Sequence, residues 1–190
     1  PQATLVFRLC FAQHALRSVT TRVSRRPPVR RATRNIVPEM AQNEVRIIGG
    51  MWKGRKLKFP RSPGLRPSLG RARETLFNWV RTDVLDAHCL DLFAGSGARG
   101  FEALSRGATS VVFVERNREA ATALRLNARA LGATSARIVN QDAARYLARD
   151  TSRFDLVLLD PPFDTGLLER TLGQLTAGDH LNPGALVYFE

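Results

Sequence analysis

The chain of 190 residues is poor in cysteine, holding only Cys10 and Cys89. Two cysteines so far apart make neither a disulfide framework nor a cysteine-based metal site, and they fit a reducing compartment. Long apolar runs are missing too: none approaches the ~20 residues of a membrane-spanning helix, which excludes a helical span. Acid is scarce at the amino end. Residues 1–39 contain eight arginines and one acid, Glu39, and so hold +7 of the formal net charge of +12. The +5 left to the rest is compatible with a polyanionic partner without requiring one. Hydrophobic residues make up 44%, enough for one packed core rather than a disordered chain.

The arginine-rich segment "RLCFAQHALRSVTTRVSRRPPVRRATRN" has three readings: a mitochondrial or plastid targeting peptide, a basic arm for nucleic acid, or an over-extended start. Met40 opens "MAQNEVRIIGG", where patterned sequence begins. Residues 1–39 are therefore expected to be a disordered tail. A small basic β-hairpin extension over 40–69 and a main domain over 70–190 follow.

The main domain alternates between two periods. "HCLDLF" (88–93), "SVVFVE" (110–115), "ARIVN" (136–140), "DLVLLD" (155–160) and "ALVYF" (185–189) are mostly continuous apolar runs, as parallel strands buried on both faces require. Between them lie helical patterns: Ala120, Leu124, Ala128 and Leu131 in one, and Leu168, Leu172 and Leu175 in another. "RARETLFNWV" leads into the first strand with Leu76, Trp79 and Val80 on one face. Five strands with helical crossovers predict an α/β, doubly wound, Rossmann-like sheet, whose ligands bind beyond the carboxyl ends of the strands. The fifth strand ends beside Glu190 and would leave a bare edge, so further carboxyl-terminal strands are expected.

The extension reads differently. From Val45 to Gly70 it has no acid, but carries Arg46, Lys53, Arg55, Lys56, Lys58, Arg61 and Arg66 with Trp52 and Phe59 among them. Cations that meet phosphates and rings that stack on bases suit a nucleic-acid surface. A solvated β-hairpin whose Trp52 only covers the core is the competing reading.

Each strand end carries chemistry. After the first comes "DLFAGSGARG", where Gly95, Gly97 and Gly100 form a G-x-G-x-x-G pattern and Ser96 sits inside the turn. Glu115 follows 20 residues after Gly95, at the second strand end, where it can accept hydrogen bonds from both hydroxyls of a ribose. The constellation fits a nicotinamide dinucleotide and an S-adenosylmethionine pocket equally. Asp91, inside the first strand, needs a partner: either a cofactor amino group or a nearby backbone amide. Asp142 opens the segment after the third strand as an N-cap, or as an acceptor for an adenine amino group.

The fourth strand delivers Asp160-Pro161-Pro162-Phe163. An exocyclic amine on a base is a poor nucleophile, and acceptors around its nitrogen hold its hydrogens and free the lone pair. Asp160 supplies one acceptor. The Pro161 carbonyl supplies another, left open because Pro162 has no N–H. Phe163 stacks on the base. The target base must then be unpaired or flipped out. Methyl transfer from a sulfonium needs no Lewis acid, and no metal site is expected. An Asp-Pro-Pro that merely ends a strand is the bland alternative.

"RIIGGMWKGRKL", "GLRPS", "RARETLFNWV", "DLFAGSGARGFEALSRGA", "VNQDA" and "DPPF" together resemble the bacterial 16S rRNA guanine-N2 methyltransferase family, RsmD type, from about residue 44 onward. The resemblance implies an S-adenosylmethionine-dependent class I methyltransferase acting on a guanine exocyclic amine. Asp91, Gly95, Ser96, Gly97, Glu115 and Asp142 would line the cofactor pocket. Asp160, Pro161 and Phe163 would hold the guanine. Arg46, Trp52, Lys53, Arg55, Lys56, Arg66 and Arg71 would contact RNA. A monomeric cytoplasmic enzyme is expected, organellar if residues 1–39 target it, with 16S rRNA in an assembling small subunit as partner. A DNA adenine-N6 or protein glutamine-N5 methyltransferase, an oxidoreductase and a non-catalytic RNA-binding assembly factor are the alternatives. Two positions depart from the family: Gly70 replaces an acid before "RARE", where it is expected to serve as a helix cap, and Arg99 replaces an apolar residue after the glycine turn, where it would disturb cofactor access.

Overall fold

The computed structural model of the chain describes residues 42–60, 70–162 and 166–189. The expectations for residues 1–39, Arg61, Arg66 and Phe163 lie outside the described residues. The elements are β1 (Gln42–Arg46), β2 (Lys56–Pro60), α1 (Gly70–Trp79), β3 (His88–Leu92), α2 (Ala98–Ser105) and β4 (Ser110–Val114). They continue with α3 (Arg118–Leu131), β5 (Ala136–Val139), α4 (Ala143–Leu147), β6 (Phe154–Leu159), α5 (Leu167–Ala177) and β7 (Leu181–Phe189). Strands β3 to β7 form a wholly parallel sheet in the order β5-β4-β3-β6-β7. The chain winds outward from β3 to β5, then returns to place β6 on the other side of β3. The switch point therefore lies between β3 and β6, at the carboxyl ends where a ligand is expected.

Alternate strand residues feed two cores, which is why the strands read as unbroken apolar runs. Cys89, Val111, Phe113, Leu156 and Leu158 pack under α1, α2 and α3. Leu90, Val112, Val157 and Val187 pack under α4 and α5. Burial pushes the Cys89 thiol up to about 12, so it behaves as a small core residue.

Strands β1 and β2 form the expected hairpin, antiparallel from Gln42↔Pro60 to Arg46↔Lys56. Leu57 and Phe59 point inward while Lys56 and Lys58 point out. Leu57 and Ile47, the latter in the loop between β1 and β2, join the same core as α1 to α3. The hairpin is thus seated on the main domain by apolar contact.

Three expectations are corrected. In α1 the buried stripe is Arg73, Leu76 and Phe77, continued by Val80 just past the helix; Trp79 lies to one side of it and is 43% exposed. Strand β7 begins at Leu181, not Ala185. Pro183 and Gly184 read as a strand break, but β7 absorbs them in a register irregularity opposite Phe154 and Leu156, as an edge strand can. Gly70 is the first residue of α1 rather than its cap.

Candidate functional site

The turn after β3 is tight and left-handed at several residues. Gly95 and Gly97 have φ of 52° and 73°, and Phe93 adopts 63°, a conformation that is uncommon for a bulky residue and costs local strain. A Cβ on Gly97 would stand 2.4 Å from Leu124 Cδ2. One on Gly100 would stand 2.3 Å from the Phe113 ring and 2.9 Å from Asp91 Oδ2. The third glycine of the pattern thus serves helix–strand packing, while the first two shape the turn. Ser96 is buried in that turn, its Oγ accepting the Ala98 N–H at 3.3 Å.

Glu115, just past β4, ties this turn to the neighbouring strand end. Its Oε2 accepts the Gly95 N–H at 2.8 Å and its Oε1 accepts the Asn117 N–H at 2.7 Å. Each oxygen keeps a second lone pair. Asp142 caps α4: its Oδ1 accepts from the Ala144 and Arg145 N–H groups. The N-cap reading is the one observed; the side chain is exposed and Oδ2 takes no hydrogen bond among the described residues.

Asp91 is sealed beneath the turn, and its Oδ2 accepts the Gly100 N–H at 3.0 Å. Burial pushes its carboxyl up to about 7, against the lowering influence of the Arg99 cation and the Gly100 amide.

At the end of β6, Asp160 is partly exposed, Pro161 is buried and Pro162 is exposed. Arg99, on the first turn of α2, reaches across the switch point and its Nη1 donates to Asp160 Oδ2 at 2.7 Å. The guanidinium is nearly buried and also lies 6.0 Å from the Tyr188 ring centroid. The departure at Arg99 is therefore an ion pair to the Asp-Pro-Pro corner. Among the described residues, no cluster of His, Cys, Asp and Glu is placed to hold a metal, and no helix is long and apolar enough to cross a membrane.

The basic candidates gather along the hairpin, with Arg71 exposed on the first turn of α1. Lys53 is exposed and Trp52 half-buried, packing against the core with part of its surface. Arg46 Nη1 donates to the Gly54 carbonyl at 3.2 Å, and Lys56 pairs with Glu44 at 2.7 Å. Arg55 Nη2 donates to the Ala130 carbonyl at 2.8 Å, near the carboxyl end of α3.

What seats the hairpin escaped the sequence reading. Glu102, fully buried on α2, accepts the Ile48 and Gly49 N–H groups at 2.8 and 2.7 Å and Arg106 Nε at 2.8 Å; Arg73 stands at 3.6 Å. Ser105 Oγ donates to the Gly49 carbonyl at 2.6 Å and accepts the Trp52 N–H at 2.9 Å. The available signal was a lone acid among Phe101, Ala103 and Leu104, in a helix buried throughout.

The family profile "Conserved hypothetical protein 95" matches residues 45–190. The "Ribosomal RNA small subunit methyltransferase D" of Escherichia coli is 49% identical over 147 residues, 77% of this chain and 74% of that one. The solved "putative methyltransferase yhhF" from Escherichia coli superposes with a TM-score of 0.72 at 47% identity, covering 77% of this chain and 81% of that one. A T. thermophilus 16S rRNA N2 methyltransferase solved with AdoMet and guanosine shares the fold, with a TM-score of 0.62 at 24% identity over 81% of this chain and 43% of that one. With two of three glycines shaping a turn at the switch point and an acid at each neighbouring strand end, the chain belongs to this family, that of the small-subunit rRNA methyltransferases D.

Proposed function

We propose that the chain is an S-adenosylmethionine-dependent enzyme that methylates the exocyclic N2 amine of a guanine in 16S rRNA, acting in the cytoplasm. The observation that carries this reading is the placement of Asp160 at the switch point, paired at 2.7 Å with a cation on the helix that leaves the glycine turn. Cofactor turn and base-holding corner are thereby adjacent, as a direct group transfer needs.

The residues present fit the cofactor. Glu115 keeps one lone pair on each oxygen for two ribose hydroxyls. Asp142 is exposed and its Oδ2 takes no hydrogen bond among the described residues, which makes it a suitable acceptor for an adenine amino group. When bound, S-adenosylmethionine supplies a methyl group made electrophilic by its sulfonium. Asp160 and the Pro161 carbonyl hold the two hydrogens of the guanine amine, which orients the nitrogen lone pair away from them. The Asp160 carboxylate also stands where the proton leaves the methylated nitrogen. Its Oδ2 accepts from Arg99, which holds the carboxylate at the strand end and leaves further lone pairs on both oxygens. The guanine reaches this corner unpaired or flipped out of its helix.

The test is to incubate the protein with methyl-labelled S-adenosylmethionine and unmethylated small ribosomal subunits, then identify the labelled nucleoside. N2-methylguanosine is expected. A different labelled nucleoside, or none despite cofactor binding, overturns the reading. Asp160→Ala is expected to lower kcat by about 10²–10³-fold, the cost of one lost transition-state partner, with cofactor affinity nearly unchanged. Wild-type turnover in this variant would remove Asp160 from the mechanism.

A further inference from the structure

The face of α3 that meets β2 holds a groove that no part of the cofactor site uses. It encloses about 710 Å³. Phe59 and Pro60 wall it on the hairpin side, and Ala123, Leu126 and Ala130 line it on the helix side. Leu126 is 58% exposed, one of only four large apolar side chains so open among the described residues. The rim is cationic on balance: Lys56, paired with Glu44, and Lys58 stand along β2 and Arg118 at the amino end of α3, with Glu119 the one acid in the lining itself. At the Ala130 end, the Arg55 guanidinium donates to the Ala130 carbonyl at 2.8 Å.

The groove is built rather than incidental. Buried Asn127 clamps the backbone of Lys58, accepting its N–H at 3.1 Å and donating to its carbonyl at 2.8 Å. That side chain stands in for a neighbouring strand and fixes the distance between β2 and α3. From Arg118 to Ala130 the helix rises about 18 Å, room for a short run of stacked bases at about 3.4 Å each. Its amino end lies three residues beyond Glu115, so the groove starts beside the cofactor end of the sheet.

We infer that this groove binds a single-stranded stretch of the substrate RNA, phosphates on Lys58, Arg118 and Arg55, bases against Leu126. Charge decides the occupant. A groove with cations along its length and an apolar floor matches a polyanion with flat apolar faces. It is also continuous with the basic hairpin surface. The inference rests on the proposed rRNA substrate and extends the RNA contact from the hairpin to α3.

The test measures binding of a fluorescein-labelled oligouridylate, which has no target guanine, across a salt series. Lys58→Glu with Arg118→Glu is expected to weaken binding and to reduce the salt slope by at least about 1.4, the share of two single-strand phosphate contacts. Leu126→Ser is expected to weaken binding a few-fold, the loss of one apolar contact against a base, with the slope unchanged. Arg149→Glu, an exposed arginine after α4, controls for net charge and should shift the slope less than the groove pair does. Because all four side chains are exposed, cofactor affinity and melting temperature should stay at wild-type values. Groove variants that behave like Arg149→Glu overturn the proposal. So do variants that lose binding to small subunits but keep it for the oligouridylate, since the groove would then face a ribosomal protein. Neither result touches the methylation reading, which fails only if wild-type protein leaves no N2-methylguanosine.

Discussion

Asp91 and Glu102 are both buried carboxylates in the layer between the sheet and α2, at 3% and 0% exposure, yet they live under opposite conditions. Asp91 lies beneath the cofactor turn with one backbone N–H, that of Gly100, as its hydrogen-bond donor among the described residues. Glu102 lies toward the other end of α2 with two backbone N–H groups and Arg106 at hydrogen-bond distance and Arg73 close by. A buried charge is costly unless it is paired and hydrogen-bonded. The difference assigns two tasks to one short helix. Its carboxyl-terminal half is saturated with donors and holds the hairpin in place. Its amino-terminal half is left short of donors beside the glycine turn proposed to take the cofactor.

The largest effect should come from breaking the saturated end. Glu102→Gln replaces an acceptor oxygen by an amide that points donors at donors, and leaves Arg73 buried without its carboxylate. A cost of about 3–5 kcal/mol is expected, the range for removing one partner of a buried pair, read as a fall in the urea midpoint. A loss below about 1 kcal/mol would mean that the Glu102 contacts do not seat the hairpin.

The donor-poor end gives a pH signature. The Asp91 carboxyl is raised in the folded state to about 7 from an unfolded value near 3.8. Between those values the folded protein binds more protons than the unfolded chain, so stability falls as pH rises from about 4 to about 7 and then levels off. Asp91→Asn keeps an acceptor for Gly100 and cannot ionise. The variant should gain stability over wild type through that window, by on the order of 4 kcal/mol at pH 8 as an upper value. Parallel pH–stability curves for the two proteins would show that Asp91 is not held up by burial.

Much of this was legible in the sequence where chemistry and local structure are neighbours in the chain. The glycine turn, Glu115, Asp142 and Asp160 each follow an apolar run directly, and the sheet edge gathers what the strand ends carry. The hairpin was legible from Gly-Gly and from alternation in Lys56–Phe59. What stayed hidden depends on distance along the chain. Arg99 and Asp160 are 61 residues apart, and Glu102 meets Ile48 and Gly49 across 54 and 53. No local pattern announces such partners. Trp79 faced outward because Phe77 already filled the stripe, and β7 ran through Pro183 because edge strands tolerate a missing donor.

The smallest expected effect probes the seat of the hairpin itself. A Cβ on Gly50 would stand 1.7 Å from the Ser105 carbonyl oxygen, so backbone meets backbone here. Ser105→Ala keeps the Met51 N–H bond to that carbonyl but removes the hydroxyl from Gly49 and Trp52. The stability loss should be about 1 kcal/mol, that of a modest hydrogen-bond deletion. The informative readout is kinetic. If α2 positions the hairpin for RNA, the variant should raise KM for small subunits a few-fold while kcat and cofactor affinity hold, because only the placement of Trp52 and Lys53 has loosened. A fall in kcat with KM unchanged would move the influence of Ser105 along α2 to Arg99 and Asp160, and the two ends of the helix would then act as one unit.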